Sequence, residues 1–119
     1  MNNEKSELLQ GTLDMLILKA LQLESMHGFG LAQRLRQMSA DVFQVEMGSL
    51  YPALCRLEKR GWIKGAWGVS DNNRKARYYA VTPAGRKQLE EEKTQWALLS
   101  ATINTMLKTT GGKVAGSGM

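Results

Sequence analysis

A short segment in the middle of the chain concentrates side chains that can hydrogen-bond to a nucleic acid or neutralise its charge. They are Ser49, Tyr51, Pro52, Cys55, Arg56 and Lys59. A hydroxyl group can bond to a phosphate or a base edge, a proline ring can pack on a thymine methyl group, and a cation can make a charge-assisted contact. This mixture differs from the uniformly charged surface that a merely solvated helix face carries.

A second polar and basic group follows at residues 72–77. It consists of Asn72, Asn73, Arg74, Lys75 and Arg77. Between Arg56 and Arg77 the chain has seven basic and two acidic side chains, and this excess of five equals the net charge of the whole protein, +5. Positive charge concentrated in one segment is the electrostatic footprint of a polyanionic partner, although a basic run can also be a solvated face.

The first group must be positioned by a short helix within residues 47–63. At about 100° per residue, the side of this helix opposite the polar group carries only apolar residues. These are Leu50, Ala53, Leu54 and Leu57. Because Pro52 has no N–H to donate, it predicts a helix start just before it, near Gly48, with Ser49 as the N-cap. Gly61, which follows a basic last turn, is expected to end the helix.

Two further helices are expected before this segment. Residues 6–24 carry more apolar positions than a one-sided helix needs, with Leu8, Met15 and Leu18 outside its main apolar face. We therefore expect this helix to pack both on the core and on a partner subunit. A shorter helix at residues 29–38 then precedes the polar-faced one. Two short helices joined by a turn, the second with an exposed contact side, predict a helix-turn-helix.

The second polar group lies in a predicted β-hairpin. Residues 62–69 and 76–82 are β-rich runs, and the turn-forming residues between them predict a hairpin with a basic tip. Thr82 as N-cap and Pro83 at the first helical position then begin a long helix that runs to about Lys108. Its heptad-spaced apolar side chains predict a dimer interface and are Leu89, Trp96, Leu99, Ile103 and Met106.

These elements define a mainly α fold with a small β-hairpin. We expect a winged helix-turn-helix DNA-binding domain over residues 1–82 and a C-terminal dimerisation helix over residues 83–109. Residues 110–119 are glycine-rich and lack apolar periodicity, so this tail is expected to be disordered. In a winged helix-turn-helix, the contact helix enters the major groove of DNA and the hairpin reaches the neighbouring backbone or minor groove.

Several segments of the chain together resemble the PadR family of bacterial transcriptional regulators, in its short form with a single C-terminal helix. They are GTLDMLILKAL, HGFGLAQRLRQ, VEMGSLYPALCRLEKRGWIKGAWG and NNRKARYYAVTPAGRKQLEEE, with Trp96 after them. The resemblance implies a homodimer, built from the first and last helices, that binds a dyad-symmetric double-stranded DNA operator and usually represses transcription. It also implies that a small, often aromatic ligand can act as an effector. Cys55 departs from the larger polar residue, such as His, that relatives often carry there.

Composition and sequence patterns argue against several other classes of function. One cysteine and one histidine argue against a metal site, and no cofactor is expected. No paired carboxylates, nucleophile with a base or phosphate-binding glycine loop indicates an enzyme. The chain has no apolar run long enough to span a membrane and no signal-peptide pattern at its start, which predicts a soluble, cytoplasmic protein.

Some alternatives remain open from the sequence. A winged-helix module for protein interaction, or a non-specific architectural DNA-binding module, would share much of this pattern. Trp96 has two interpretations as well. Its indole can stack on a planar aromatic effector at the dimer interface, or it can simply pack in the interface.

Overall fold

A computed structural model describes the backbone of residues 2–111 and the side chains of residues 12–111. The elements follow one another as α1 (Asn2–Leu23), β1 (Met26–His27), α2 (Gly28–Met38), α3 (Met47–Lys59), β2 (Ile63–Val69), β3 (Lys75–Val81) and α4 (Pro83–Lys108). The mainly helical winged helix-turn-helix with a long last helix is confirmed. The chain divides into two compact units, one ending at Leu89 and the other beginning at Glu90.

The first unit has one hydrophobic core, to which the helices and the sheet all contribute. Its fully buried large side chains are Ile17, Leu18, Leu31, Leu50, Leu54, Leu57, Ile63 and Leu89. Burying one such side chain is worth about 1.5–3 kcal/mol relative to leaving it in water. No polar or charged side chain is buried within the described part of the chain. Apolar packing therefore fixes how α2 and α3 are held together.

Two residues that the sequence assigns to a dimer interface lie in this core. Leu18 and Leu89 are both 0% exposed in the single chain, so they have no surface to offer a partner, and the prediction is corrected for them. The physical reason is that α1 contacts α2, α3 and β3, so several of its sides are buried within one subunit. Met15 is partly buried against the same core. The side chain of Leu8 lies outside the described residues.

Helix α3 begins earlier than the sequence predicts. Its N-cap is Glu46, whose side chain makes no capping hydrogen bond. The N–H of Leu50 already donates to the carbonyl of Glu46 at 3.0 Å, so the prediction of Ser49 as N-cap is wrong. Pro52 consequently lies inside the helix, where it removes one i to i−4 hydrogen bond.

The other end of α3 closes as predicted. Gly61 has a φ of 77°, the left-handed conformation that a glycine adopts without steric cost. The N–H of Trp62 donates to the carbonyl of Leu57, and that of Gly61 to the carbonyl of Glu58, both at 3.0 Å. This closure leads the chain directly from α3 into β2.

The sheet is antiparallel in the order β1-β3-β2. Strands β2 and β3 form the predicted hairpin, in which Trp67 lies opposite Arg77 and Gly65 opposite Tyr79. The short strand β1 was not predicted, because two residues are too few to show a periodic pattern. It joins the start of α2 to β3 through the pairing of His27 with Tyr78.

Helix α4 begins and ends where the sequence predicts. The Thr82 hydroxyl oxygen accepts a hydrogen bond from the N–H of Gly85 at 3.0 Å, which caps the first turn. Gly85 packs so closely that an added Cβ atom would lie 2.0 Å from the carbonyl oxygen of Trp62. From Glu90 onward most described side chains are exposed. Most of the predicted tail, residues 112–119, lies outside the described residues.

Candidate nucleic-acid interface

The polar side of α3 is accessible, as the helical spacing predicts. Tyr51 is 48% exposed, whereas Leu50 and Leu57 on the opposite side are completely buried. We call the polar set the contact face of α3; it comprises Ser49, Tyr51, Pro52, Cys55, Arg56 and Lys59, all exposed except the half-buried Arg56. The contact face therefore stands on a helix whose other side is fixed in the core.

Tyr51 is held against the first turn of α2. A Cβ atom added to Gly28 would lie 3.2 Å from the Tyr51 hydroxyl oxygen and 3.3 Å from the nearest ring carbon, so a glycine leaves the space that the ring uses. The same turn is capped by His27, whose Nδ1 accepts a hydrogen bond from the N–H of Gly30 at 3.0 Å. The His27 ring also meets Tyr78 edge-on at 5.3 Å. The Tyr51 side chain is thus exposed to solvent and at the same time packed against the first turn of α2.

Arg56 already has a partner within the protein. Its Nη2 donates a hydrogen bond to Oδ1 of Asp14 at 2.9 Å, which joins α3 to α1. The side chains of Arg56 and Asp14 are 40% and 26% exposed. Because a partly exposed ion pair of this kind is worth only about 0–1 kcal/mol, a nucleic acid could compete for the guanidinium.

The tip of the hairpin presents polar and basic side chains to solvent. We call residues 70–75 the wing tip. The N–H of Ser70 donates to the carbonyl of Arg74 at 2.8 Å, and the N–H of Asn73 to the carbonyl of Ser70 at 2.9 Å. Asn72, Asn73, Arg74 and Lys75 are exposed. Among the described side chains, neither Arg74 nor Lys75 has an acidic partner, so both cations are available to an anion.

Arg77 has a different environment from the wing-tip cations. Its Nη2 donates a hydrogen bond to Oε2 of Glu58 in the last turn of α3 at 2.5 Å, and each side chain is only 34% exposed. This hydrogen bond raises the pKa of Arg77 above its ordinary value. The guanidinium carbon also lies 5.8 Å from the ring centre of Trp67 and 5.9 Å from that of Tyr79. Burial raises the pKa of the Tyr79 hydroxyl.

An open cleft of about 620 Å³ separates the start of α2 and the contact face from the hairpin. Its lining includes the aromatic residues His27, Phe29, Tyr51, Trp67 and Tyr79, the cations Arg74, Lys75 and Arg77, and one acid, Asp71. Apolar faces and cations around one concave surface are suited to the sugars, bases and phosphates of a nucleic acid. Everything that lines the cleft belongs to the first unit.

Among the cleft residues that sequence reasoning did not select are two exposed aromatic ones, Phe29 and Trp67. They are 62% and 64% exposed. Alternation along β2 gives no signal, because Trp67 and the 66% exposed Val69 share their face of the strand with Ile63, which is only 2% exposed. A β-rich run ordinarily indicates burial, so their exposure could not be predicted from residue type alone.

In the second unit, the predicted heptad positions of α4 are accessible. Exposed fractions are 44% for Trp96, 51% for Leu99, 42% for Ile103 and 68% for Met106. Their neighbours Leu98 and Leu107 are 70% and 77% exposed. Consecutive turns of one helix therefore present large apolar side chains to solvent, which is typical of a surface that meets another protein.

The part of the chain that the structure describes gives little support to a metal site or to a membrane-spanning helix. It contains no group of three or more His, Cys, Asp or Glu side chains arranged to bind a metal ion. Cys55 is a free, exposed thiol. None of the helices in the described ranges is both long and apolar enough to cross a bilayer.

Comparison with known proteins agrees with this geometry. The sequence model of the PadR-like family of transcriptional regulators matches residues 17–91. The chain is 34% identical to a PadR-like transcriptional regulator of Bacillus cereus of known structure, covering 87% of this chain and 99% of that one with a TM-score of 0.75. A transcriptional regulator of Clostridium thermocellum gives a TM-score of 0.78 at 28% identity, over 86% of this chain and 99% of that one.

Curated relatives show the same similarity at the sequence level. The transcriptional regulator Rv3488 of Mycobacterium tuberculosis is 40% identical over 67 residues, which are 56% of this chain and 59% of that protein. An uncharacterised protein of Lysinibacillus sphaericus is 27% identical over 104 residues, 87% of this chain and 95% of that protein.

Proposed function

This chain belongs to the PadR-like family of transcriptional regulators, and on that premise we propose that it binds a dyad-symmetric operator as a homodimer and represses transcription. Membership makes it a DNA-binding regulator and not an enzyme. The operator, the dimer and the direction of regulation are the proposal. Because its target is DNA, the protein is expected to act in the cytoplasm.

The observation that carries the proposal is the pairing of a supported contact face with an exposed basic tip. We assign base reading to the contact face of α3, whose first half enters the major groove with Ser49, Tyr51 and Pro52 leading. We assign backbone contact to the wing tip through Asn72, Asn73, Arg74 and Lys75. A non-specific architectural module would have less use for the hydroxyl, proline and thiol groups on the helix.

The homodimer is supported by the exposed apolar positions of α4. Trp96, Leu99, Ile103 and Met106 follow heptad spacing and leave large apolar surfaces in water. Partly buried Met15 of α1 supplies a further apolar position. Pairing two copies gives two contact helices, which a dyad-symmetric site of two half-sites requires. Light scattering should give twice 13.2 kDa. A monomer at micromolar concentration would remove the basis for two-half-site binding.

We further propose that a planar aromatic effector stacks on Trp96 and lowers operator affinity. The indole is 44% exposed and stands between the small or polar neighbours Gln95 and Ala97. An effector can release DNA only if it binds better to a dimer whose contact helices are wrongly spaced for the operator. Operator DNA must then weaken effector binding by the same factor.

The effector proposal can be tested by titrating planar aromatic compounds while following tryptophan fluorescence. Trp62 and Trp67 also emit, so Trp96→Leu is the necessary comparison. Quenching that is lost in this variant, together with weaker operator binding when the compound is present, supports the proposal. Quenching that persists unchanged would place the ligand elsewhere, and binding without any change in DNA affinity would deny it a regulatory role.

The operator proposal is tested by selecting bound duplexes from a random pool. We expect two inverted half-sites whose centres lie about 10–10.5 base pairs apart, or a multiple of that spacing. Bound duplexes with no shared sequence would favour an architectural DNA binder. Failure to bind any duplex at low salt would favour a protein-interaction module.

A further inference from the structure

We propose that Arg77 is a positioning residue that fixes the hairpin against α3, with Glu58 as its acceptor and Gly65 as the residue that leaves it room, and that it is not a phosphate ligand. The inference rests on the proposed function, because it concerns how the hairpin presents its tip to DNA. It also separates Arg77 from Arg74 and Lys75, with which its charge alone would group it.

The contact between Arg77 and Glu58 joins two elements that the backbone connects only through β2 and the wing tip. Glu58 lies in the last turn of α3 and Arg77 in β3, and their side chains meet at 2.5 Å. About two thirds of each side chain is shielded from solvent. The hydrogen bond therefore restricts the angle between the contact face and the hairpin.

Aromatic rings restrict the guanidinium further. Trp67 lies directly opposite Arg77 in the β2–β3 ladder. The guanidinium carbon is within 6 Å of the ring centres of both Trp67 and Tyr79, at 5.8 and 5.9 Å. Cations at this distance are attracted to an aromatic face. Trp67 therefore has a role on the hairpin despite its exposure, since it covers the guanidinium.

Gly65 supplies the space that the guanidinium occupies. A Cβ atom added there would lie 2.6 Å from Nε and 2.8 Å from Cζ of Arg77, closer than nonbonded atoms approach. The atoms that would clash belong to the end of a flexible side chain. Gly65→Ala should therefore displace the guanidinium and leave the backbone in place. This substitution perturbs the contact without changing the charge of the protein.

A phosphate that took Nη2 of Arg77 would have to displace Glu58 from it. The carboxylate would then stand near the DNA without its cation, which repels phosphate. Arg74 and Lys75 would leave no carboxylate unpaired, because neither has an acidic partner among the described side chains, although the Lys75 ammonium also lies 5.7 Å from the ring centre of Trp67. The phosphate contacts of the hairpin are accordingly assigned to its tip and not to its middle.

The two roles predict opposite results for Glu58→Gln. If Glu58 only adds negative charge near DNA, its removal should tighten binding. If it holds Arg77, its removal should weaken binding to the duplex recovered by selection, by about tenfold, which corresponds to about 1.4 kcal/mol. Gly65→Ala and Arg77→Met should weaken it similarly, although Glu58→Gln removes a negative charge, Arg77→Met removes a positive charge and Gly65→Ala changes no charge.

The matched control is Asp71→Asn, which changes the charge by the same amount as Glu58→Gln. Asp71 is exposed in the wing tip and pairs with no described cation. Its neutralisation should tighten binding modestly. The midpoint of thermal unfolding, measured for every variant, excludes those that have lost the fold. The proposal would be overturned if Glu58→Gln tightened DNA binding as Asp71→Asn does.

A coupling measurement separates positioning from general destabilisation. In the wild-type background, the double substitution Arg74→Ala with Lys75→Ala should weaken DNA binding strongly. In the Glu58→Gln or Gly65→Ala background, the same double substitution should weaken DNA binding by a several-fold smaller factor, because the tip is no longer in place. Equal costs in all backgrounds would overturn the proposal. Failure of the proposed function is distinguishable, since the wild type itself would then select either no duplex or duplexes with no shared sequence.

Discussion

The contact face of α3 and the wing tip carry similar charges but are supported differently. Opposite the contact face, Leu54 and Leu57 are buried, so packing on the core holds this helix in place. The wing tip is an exposed turn with no buried side chain. A rigid helix can place hydrogen-bonding groups accurately enough to distinguish bases, whereas a turn with long cations suits phosphates, which look alike along the duplex.

The basic side chains also differ in whether an acidic side chain pairs with them. Arg56 and Arg77, which lie close to the framework, are each paired with an acid from another element, Asp14 and Glu58. Arg74 and Lys75, at the far end of the hairpin, are not paired with any described acid. On this basis we assign Arg77 to orienting the hairpin and Arg74 and Lys75 to DNA, whereas Arg56, whose ion pair is partly exposed, remains available to DNA.

The largest effect is expected from removing the support of the contact face. Leu54→Ala should lower the free energy of unfolding by about 2–5 kcal/mol, because it leaves a cavity beneath α3. Urea denaturation measures this. The neighbouring exposed residue provides a matched control, since Cys55→Ser should change stability by no more than about 0.5 kcal/mol. Similar losses in both variants would mean that the two sides of α3 do not differ as described.

Tyr51→Ala should next alter base preference. Loss of a base contact should cost about 1–3 kcal/mol at the affected position of the operator, and discrimination there should fall. Binding to single-base variants of the operator measures this. Tyr51→Phe keeps the ring against Gly28 and removes only the hydroxyl group, so it tests whether the hydrogen bond is responsible. Uniform weakening on every duplex would instead make Tyr51 a backbone contact.

Neutralising the wing tip should weaken all duplexes alike. Arg74→Ala or Lys75→Ala should reduce the slope of log affinity against log salt by about 0.9 per lost phosphate contact in each bound copy. Titrations at several salt concentrations provide the slope. Gln33→Ala, at an exposed and uncharged residue of α2 that lines the cleft, should leave the slope unchanged. An unaltered slope in the wing variants would contradict the assignment of the tip to phosphate.

The smallest effect is expected at the Arg56–Asp14 pair. Asp14→Asn should lower the free energy of unfolding by less than about 1 kcal/mol, because both side chains are partly exposed and screened by water. Base preference should be kept, since Arg56 remains available to DNA. Denaturation and operator binding check the two halves of this prediction. A loss of several kcal/mol would show that the pair is structural and that Arg56 does not reach a base.

Local chemistry made some of these features predictable from the sequence. Helical spacing separated the buried and exposed sides of α3 correctly, and Gly61 ends that helix as expected. Thr82 and Pro83 mark the start of α4 because a capping hydroxyl and a proline act within one turn. The choice of Ser49 as N-cap was wrong, since Pro52 is accommodated inside the helix.

Features that depend on distant residues could not be predicted. The pairs of Arg77 with Glu58 and Arg56 with Asp14 join residues separated by 19 and 42 positions, and no local pattern specifies them. A helical wheel places Leu18 outside the main apolar face of α1, but it does not show whether Leu18 packs within its own subunit or against a partner subunit. Likewise, the type of Trp67 indicates a strand and gives no sign that its indole covers a cation.

The difference between the contact face and the wing tip is tested most directly by parallel selections from one random pool of duplexes. Wild type, Tyr51→Ala and the double variant Arg74→Ala with Lys75→Ala are selected under identical salt. We predict that the double variant recovers the same sequence as wild type from fewer bound molecules, whereas Tyr51→Ala recovers a sequence relaxed or altered at specific positions of each half-site. A changed sequence from the wing variant, with an unchanged one from Tyr51→Ala, would contradict the account.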